Sequence, residues 1–275
     1  MPFHSVRSDS LALALTLLAV VAPARAETGF LDRAVTVGGV LHRYQVYVPV
    51  GPRPGGKPWP IVLDLHGKGP EGLDGLRQTE GGMAQAIRHA RANVPAIVVL
   101  PQAEPGRRWL DTDMQDLAMA ELDRAMAEFK ADPDRTYLTG FSMGATGAYR
   151  LAYRWPRRFA AVLVIAGRVT TADVKTYPEH DKQADRIANP FVAAPDPFAA
   201  LAQGLGGLPI TIVHGDADPT VPTDQSRRLV AALQAAGADL RYREVPGGGH
   251  EDTAARTYAD PDTLTWLLAH RRGWR

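Results

Sequence analysis

The sequence predicts an α/β fold in which a mostly parallel β-sheet carries helices on both faces. Three observations lead there. Short, nearly continuous apolar runs recur at residues 61–65, 96–100, 160–165 and 210–213, the pattern of strands covered on both sides. Helical apolar spacing fills the gaps at 83–92, 114–130 and 144–154, and the alternation continues through 223–236 and 262–270. Strand–helix alternation of this kind builds parallel sheets. Lastly, the β-branched and aromatic stretch 135–141 runs straight into a small-residue helix, with Ser142 at the joint inside Gly-x-Ser-x-Gly.

Taken in order, the chain starts with a leader pattern. Arg7 lies in a short polar region, 11–22 is an apolar run, and Ala24-Arg25-Ala26 is a small-x-small cleavage signal. Residues 1–26 therefore read as a removed signal peptide, with the product starting at Glu27 and its destination periplasmic or secreted. The apolar run is too short to span a bilayer comfortably, so no stable membrane insertion is expected once the leader is gone. Removing Arg7, Arg25 and Asp9 from 31 basic and 30 acidic residues leaves 29 of each, a net charge of 0. That balance argues against nucleic acid or a polyanionic surface as the partner. The chain has no cysteine, which excludes thiol catalysis, thiolate metal sites and disulfides. Residues 27–275 are long enough to be held by a core alone and are expected to form a single catalytic domain.

Next, residues 33–50 alternate as a hairpin around Gly38-Gly39, and 51–56 is a Gly/Pro loop. The runs listed above then supply the central strands. The stretch 168–207 breaks the alternation. It is polar and proline-punctuated, with only 198–205 suggesting a helix. A loop of this length is functional or disordered more often than not. It is a candidate lid or substrate wall, with a plain solvated insertion as the alternative.

Ser142 is the nucleophile candidate. A serine forced into a sharp strand-to-helix turn needs neighbours without bulk, which Gly140, Gly144 and Ala145 provide, and the helix start offers unpaired N–H groups. Of five serines only Ser142 and Ser226 lie beyond residue 26. A serine hydroxyl needs a base that is itself oriented by an acid, and on a sheet of this kind the chain order is Ser, acid, His. Among the later histidines, His250 follows the 242–246 strand pattern and Gly247-Gly248-Gly249, on an expected flexible loop from which it can reach Ser142. His214 ends a strand and reads as packed or turn-stabilising. His270 belongs to the last helix, and His180 falls in the insertion. The acid lies in His214-Gly215-Asp216-Ala217-Asp218-Pro219-Thr220-Val221-Pro222, where spacing leaves Asp216 and Asp218 equally open. The second oxyanion donor is expected in His66-Gly67-Lys68-Gly69-Pro70, with the N–H of Lys68 paired with that of Met143. His66 itself reads as a structural histidine, and Trp109 and Tyr177 as packing residues or pocket lining.

Gly67, Gly69 and Gly72 also match a dinucleotide fingerprint, but Pro70, Gly72 and Gly75 disfavour the required helix. The next strand also leads into Pro101-Gln102 rather than an acid. No phosphate-loop or metal-ligand spacing appears, so no cofactor and no metal are expected.

These blocks together resemble the α/β-hydrolase superfamily, most closely the phospholipase/carboxylesterase and dienelactone-hydrolase-like esterases, relatives of polyhydroxybutyrate depolymerases and of predicted peptidases. The blocks are 65–69, 137–144, 214–222 and Gly249-His250, and the resemblance covers about residues 46–272. It implies an eight-stranded, mostly parallel sheet with an antiparallel N-terminal edge. It further implies Ser142 as nucleophile, His250 as base, Asp218 rather than Asp216 as its orienter, and Lys68 and Met143 as oxyanion donors. Two departures are Lys68 in the oxyanion loop, where smaller or neutral residues are usual, and the long 168–207 insertion. The function expected is that of an exported serine hydrolase acting on a small-molecule or polymeric carboxylic ester through an acyl-enzyme. A serine peptidase on the same machinery and a non-catalytic carbohydrate- or polymer-binding relative are the alternatives.

Overall fold

A computed structural model of the chain describes residues 1, 27–51, 53–91, 94–172, 174–175 and 177–273. Apart from Met1, the expected leader lies outside them. Eight strands form one sheet: β1 (Gly29–Val37), β2 (Val40–Val48), β3 (Ile61–Leu65), β4 (Ile97–Leu100), β5 (Thr136–Phe141), β6 (Ala161–Ile165), β7 (Ile210–Gly215) and β8 (Leu240–Val245). Their order across the sheet is β1-β2-β4-β3-β5-β6-β7-β8. The first hairpin pairs antiparallel and β2 joins β4 antiparallel, while every later pairing is parallel. The mostly parallel sheet with its antiparallel edge is thus present as expected. Gly38 and Gly39 turn the hairpin with φ of 58° and 84°, a conformation that residues with a Cβ resist.

The helices are α1 (Gly82–His89), α2 (Thr112–Phe129), α3 (Met143–Arg154), α4 (Glu179–Ala188), α5 (Pro197–Leu205), α6 (Asp224–Ala235), α7 (His250–Ala259) and α8 (Pro261–Ala269). Because successive strand residues face opposite ways, the apolar runs split between two cores. Ile61, Leu63, Leu65, Leu138 and Val164 pack with residues of α2, α3, α5 and α6. Val62, Val98, Tyr137 and Leu163 pack with residues of α1, α7 and α8. The strands β3 to β7 therefore have no solvated face, which is why their sequences run apolar rather than alternating, while the edge strand β8 is partly exposed.

Two helices were not legible. The helix α7 begins at His250 itself, so that residue stands at a helix start and not on a flexible loop. In the 168–207 stretch, α5 matches the expected 198–205 helix, but α4 was not foreseen. Its sequence is polar, and its one buried residue is Asp185. That carboxylate forms a fully buried pair with Arg150 of α3. Arg150 Nε and Nη2 donate to its two oxygens at 3.1 and 2.7 Å, while the remaining N–H groups reach the carbonyls of Thr146, Arg168 and Val169. Asn189 and Thr171 donate to Asp185 as well. The inserted segment is thereby fastened at its base to the helix that follows Ser142. Asp185→Ala leaves the guanidinium buried and unpaired, and is expected to cost about 3–5 kcal/mol in denaturant unfolding. A loss no larger than that of an exposed pair would contradict this account.

Glu121 on α2 carries the opposite situation. It is fully buried, and neither carboxyl oxygen has a partner among the described residues. Burial holds its pKa well above the usual range, so the folded chain keeps it protonated. The unfolded chain ionises it above about pH 4.3. Stability therefore falls with rising pH, by about 1.4 kcal/mol per unit, until the folded pKa is reached. Glu121→Met is expected to raise the melting temperature more at pH 8 than at pH 5. An equal change at both would contradict the assignment.

Candidate active site

All the expected site residues lie at the carboxyl ends of parallel strands, where open α/β sheets bind ligands. Lys68 follows β3, Ser142 and Met143 follow β5, Asp218 follows β7 and His250 follows β8. Chain segments far apart in sequence meet there because the sheet order brings β3, β5, β6, β7 and β8 side by side.

Ser142 sits at φ 55° and ψ −113°, a strained conformation for a residue with a Cβ, at a cost of about 1–3 kcal/mol. Its N–H donates to the Ile165 carbonyl at 2.9 Å, and its carbonyl accepts from the N–H and hydroxyl of Thr146 at 2.9 and 3.0 Å. The surrounding glycines are required by contact. A Cβ on Gly144 would lie 1.8 Å from the Leu65 carbonyl oxygen, and one on Gly140 would lie 2.4 Å from the Gly144 backbone. The helix start is thus pressed onto the end of β3, which raises the Ser142 hydroxyl out of the sheet.

His250 Nε2 lies 2.8 Å from Ser142 Oγ, and its Nδ1 lies 2.6 Å from Asp218 Oδ2. The Phe141 ring lies against the imidazole with centroids 4.7 Å apart. Asp218 Oδ1 accepts from the N–H groups of Thr220 and Val221 at 2.8 and 2.9 Å. Burial pushes the Asp218 pKa up, but contacts from His214 and His250 and the two backbone N–H groups outweigh it. The carboxyl is held well below the usual carboxylate range. The histidine is further located by its helix. Tyr258 of α7 donates to buried Asp64 of β3 at 3.1 Å and contacts the Thr139 hydroxyl of β5 at 3.1 Å. Burial pushes the Asp64 pKa up to about 7.

Asp216 and Asp218 are placed differently. Asp216 Oδ1 accepts from Gly247 N–H at 2.6 Å, tying together the loops after β7 and β8, while Asp218 faces the imidazole. The loops also touch through glycine, since a Cβ on Gly215 would lie 2.1 Å from the Gly248 carbonyl oxygen.

In the loop after β3, His66 is structural. Its Nε2 accepts from Ala103 N–H at 3.0 Å, so its Nδ1 carries the hydrogen and donates to the Gly67 carbonyl at 2.6 Å. Burial lowers its pKa, keeping the ring neutral. In a trans peptide the Lys68 N–H points opposite to that carbonyl, away from His66. The Lys68 side chain is exposed. No α-helix follows Gly67, Gly69 and Gly72 until α1 at Gly82, only a single 3-10 turn at Arg77–Thr79, so the dinucleotide motif lacks its anion-binding helix start. Trp109 packs rather than lining the site. Its ring is fully buried against His66, and Nε1 donates to the His66 carbonyl at 3.0 Å. Tyr177 is covered by the Arg108 guanidinium, 4.4 Å from its ring centroid, and Arg108 pairs with Asp181 of α4. His180 pairs with Asp181 and His270 contacts the Trp266 carbonyl, so neither is part of this constellation.

Known proteins resemble this chain in sequence and in fold. The putative esterase NocK of Nocardia uniformis subsp. tsuyamanensis is 26% identical over 264 residues, covering 84% of this chain and 68% of its own length. A thermostable esterase superposes with a TM-score of 0.67 at 26% identity, over 88% of this chain. The match covers 63% of that esterase, so this chain spans less than two thirds of its length. An S-formylglutathione hydrolase from Agrobacterium tumefaciens superposes with a TM-score of 0.66 at 22% identity, over 89% of this chain and 95% of its own, a likeness of fold. The sequence pattern of the prolyl oligopeptidase family (Peptidase S9) matches residues 105–272, more than half of the chain. The protein therefore belongs to the prolyl oligopeptidase family and is a hydrolase built on the α/β-hydrolase fold.

Proposed function

We propose that the protein is an exported serine hydrolase that cleaves carboxylic esters through an acyl-enzyme. The observation that carries this reading is the continuous contact from Asp218 through His250 to Ser142, at 2.6 and 2.8 Å. Asp218 accepts from His250 Nδ1–H, which leaves Nε2 as the base facing Ser142 Oγ. As Oγ attacks the ester carbonyl, Nε2 takes its proton and Asp218 stabilises the resulting imidazolium. The developing oxyanion is received by the N–H groups of Met143, at the start of α3, and Lys68. The imidazolium returns its proton to the leaving alkoxide. Water, activated by the same Nε2, then releases the acid. The Ser142 proton leaves with the alcohol, a proton of the attacking water restores the Ser142 hydroxyl by way of Nε2, and the scheme needs no metal or cofactor.

The substrate is a small or polymeric ester, consistent with esterases among the relatives. A peptidase reading is favoured by one finding, the family itself. Parallel assays on acyl esters of graded chain length and on acyl-aminoacyl anilides decide between them. Ester turnover that is lost in Ser142→Ala, with anilide turnover orders of magnitude slower, supports the esterase. The reverse ranking makes it a peptidase. Export predicts that protein recovered from the periplasm or medium begins at Glu27. No helix among the described residues is long and apolar enough to cross a membrane.

A further inference from the structure

The contacts around Asp218 do not end at His250. Behind the carboxylate lies His214, the penultimate residue of β7, with its side chain fully buried, as is that of Asp218. Its Nε2 is 3.0 Å from the Val221 carbonyl oxygen and 3.3 Å from Asp218 Oδ2. Both neighbours are acceptors, so Nε2 carries the hydrogen, directed mainly at Val221 with Asp218 as a second acceptor. Its Nδ1 lies 2.7 Å from Ser226 Oγ, in a residue that is also fully buried. With Nε2 already a donor, Nδ1 accepts the Ser226 hydroxyl hydrogen, and that bond selects the tautomer. The two serines found beyond residue 26 thus occupy opposite ends of one chain of contacts: Ser226, His214, Asp218, His250, Ser142.

We infer that His214, held in its tautomer by Ser226, is a positioning residue for the nucleophilic machinery, fixing the Asp218 carboxylate and its loop so that Oδ2 meets His250. The inference rests on the triad reading given above. Its physical content is a count of donors. Asp218 Oδ1 is fixed by two backbone N–H groups. Oδ2 faces His250 from one side and His214 from the other. Without His214, the imidazole that must move its proton in each cycle would be the one side chain left holding Oδ2, and the Val221 carbonyl would lose its partner. A carboxylate prepositioned by a group that takes no part in proton transfer orients the base at no cost during the reaction.

His214 also draws charge from Oδ2. Removing that donor strengthens the pull of Asp218 on the His250 imidazolium. Other charged groups adjoin these elements, among them Asp216 of the same loop, Arg168 on the Thr220 carbonyl and Glu251 next to His250. Glu244 of β8 pairs in register with His214 and is held at about 2 by Arg227, outside the working range. Asp64 under α7, pushed up to about 7 by burial, is common to the parent protein and to every variant below.

The test compares His214→Leu, His214→Gln and Ser226→Ala with the parent protein, each assayed on a short acyl ester as folded protein. The glutamine amide can place an N–H near the position of ring Nε2. We expect His214→Leu to lower kcat about 10- to 100-fold with KM little changed, and to move the acid limb of kcat/KM to higher pH. His214→Gln is expected to regain most of kcat, and Ser226→Ala to shift both quantities in the same direction by less. Folded His214→Leu with parental kcat and acid limb overturns the inference. If His214→Leu does not fold, Ser226→Ala with both quantities unchanged overturns it equally. Failure of the triad reading has a different signature, which is turnover persisting in Ser142→Ala.

Discussion

Ser142→Ala is expected to lower kcat on any ester substrate by about five to six orders of magnitude, with the thermal midpoint close to that of the parent protein. The size follows from the unit character of a nucleophile, base and orienter. Removing the attacking atom costs about as much as removing all three, and what survives is assistance from the oxyanion donors and from binding. The fold should tolerate the change. Alanine and serine share the Cβ that makes φ 55° unfavourable, and the Ser142 hydroxyl's partner is His250 Nε2 on the surface of the site. The measurement is an initial-rate assay on purified variant, with residual parental enzyme excluded by titration. Turnover within a hundredfold of the parent would remove Ser142 from the role given to it.

Asp218→Asn is expected to lower kcat by about 10⁴-fold with a smaller effect on KM. The backbone decides how the amide sits. The N–H groups of Thr220 and Val221 both donate to Oδ1, so the asparagine carbonyl takes that place and its NH₂ group points at His250. An amide donor facing Nδ1 forces the hydrogen onto Nε2, and the imidazole then presents N–H to Ser142 Oγ instead of a lone pair. The base is present in the wrong tautomer. The same NH₂ also opposes His214 Nε2–H, 3.3 Å from Oδ2 in the parent. A loss of less than tenfold would mean that Asp218 does not orient His250. The equivalent change at Asp216, whose contact is Gly247 N–H, should cost far less.

Much of this was legible because the physics that writes the sequence pattern also builds the structure. Apolar runs such as 61–65 mark strands covered on both faces, and Gly140, Gly144 and Gly147 stand where a Cβ would overlap β3, α3 or Trp109. Ser142 could be found by that glycine spacing and His250 by chain order. What stayed hidden has a common cause: side chains whose partners are distant in sequence. The helix α4 lacks apolar periodicity because its inward residue, Asp185, is matched by Arg150, 35 positions away. Spacing could not separate Asp216 from Asp218, because both sit in one turn and differ only in which far loop each meets. His214 looked like an ordinary strand-end histidine, since the second acceptor that gives it meaning is brought close by the turn it precedes. Ser226 carried no motif at all. Its scarcity was the one available signal.

The measurement that bears most directly on the account is labelling of the protein with a fluorophosphonate, followed by peptide mass spectrometry to locate the adduct. A fluorophosphonate reports an activated serine whatever the natural substrate. The account predicts stoichiometric modification of Ser142, none of Ser226, and loss of the adduct in His250→Ala. No modification of Ser142 under conditions where a control serine hydrolase reacts fully would contradict it, as would modification undiminished in His250→Ala.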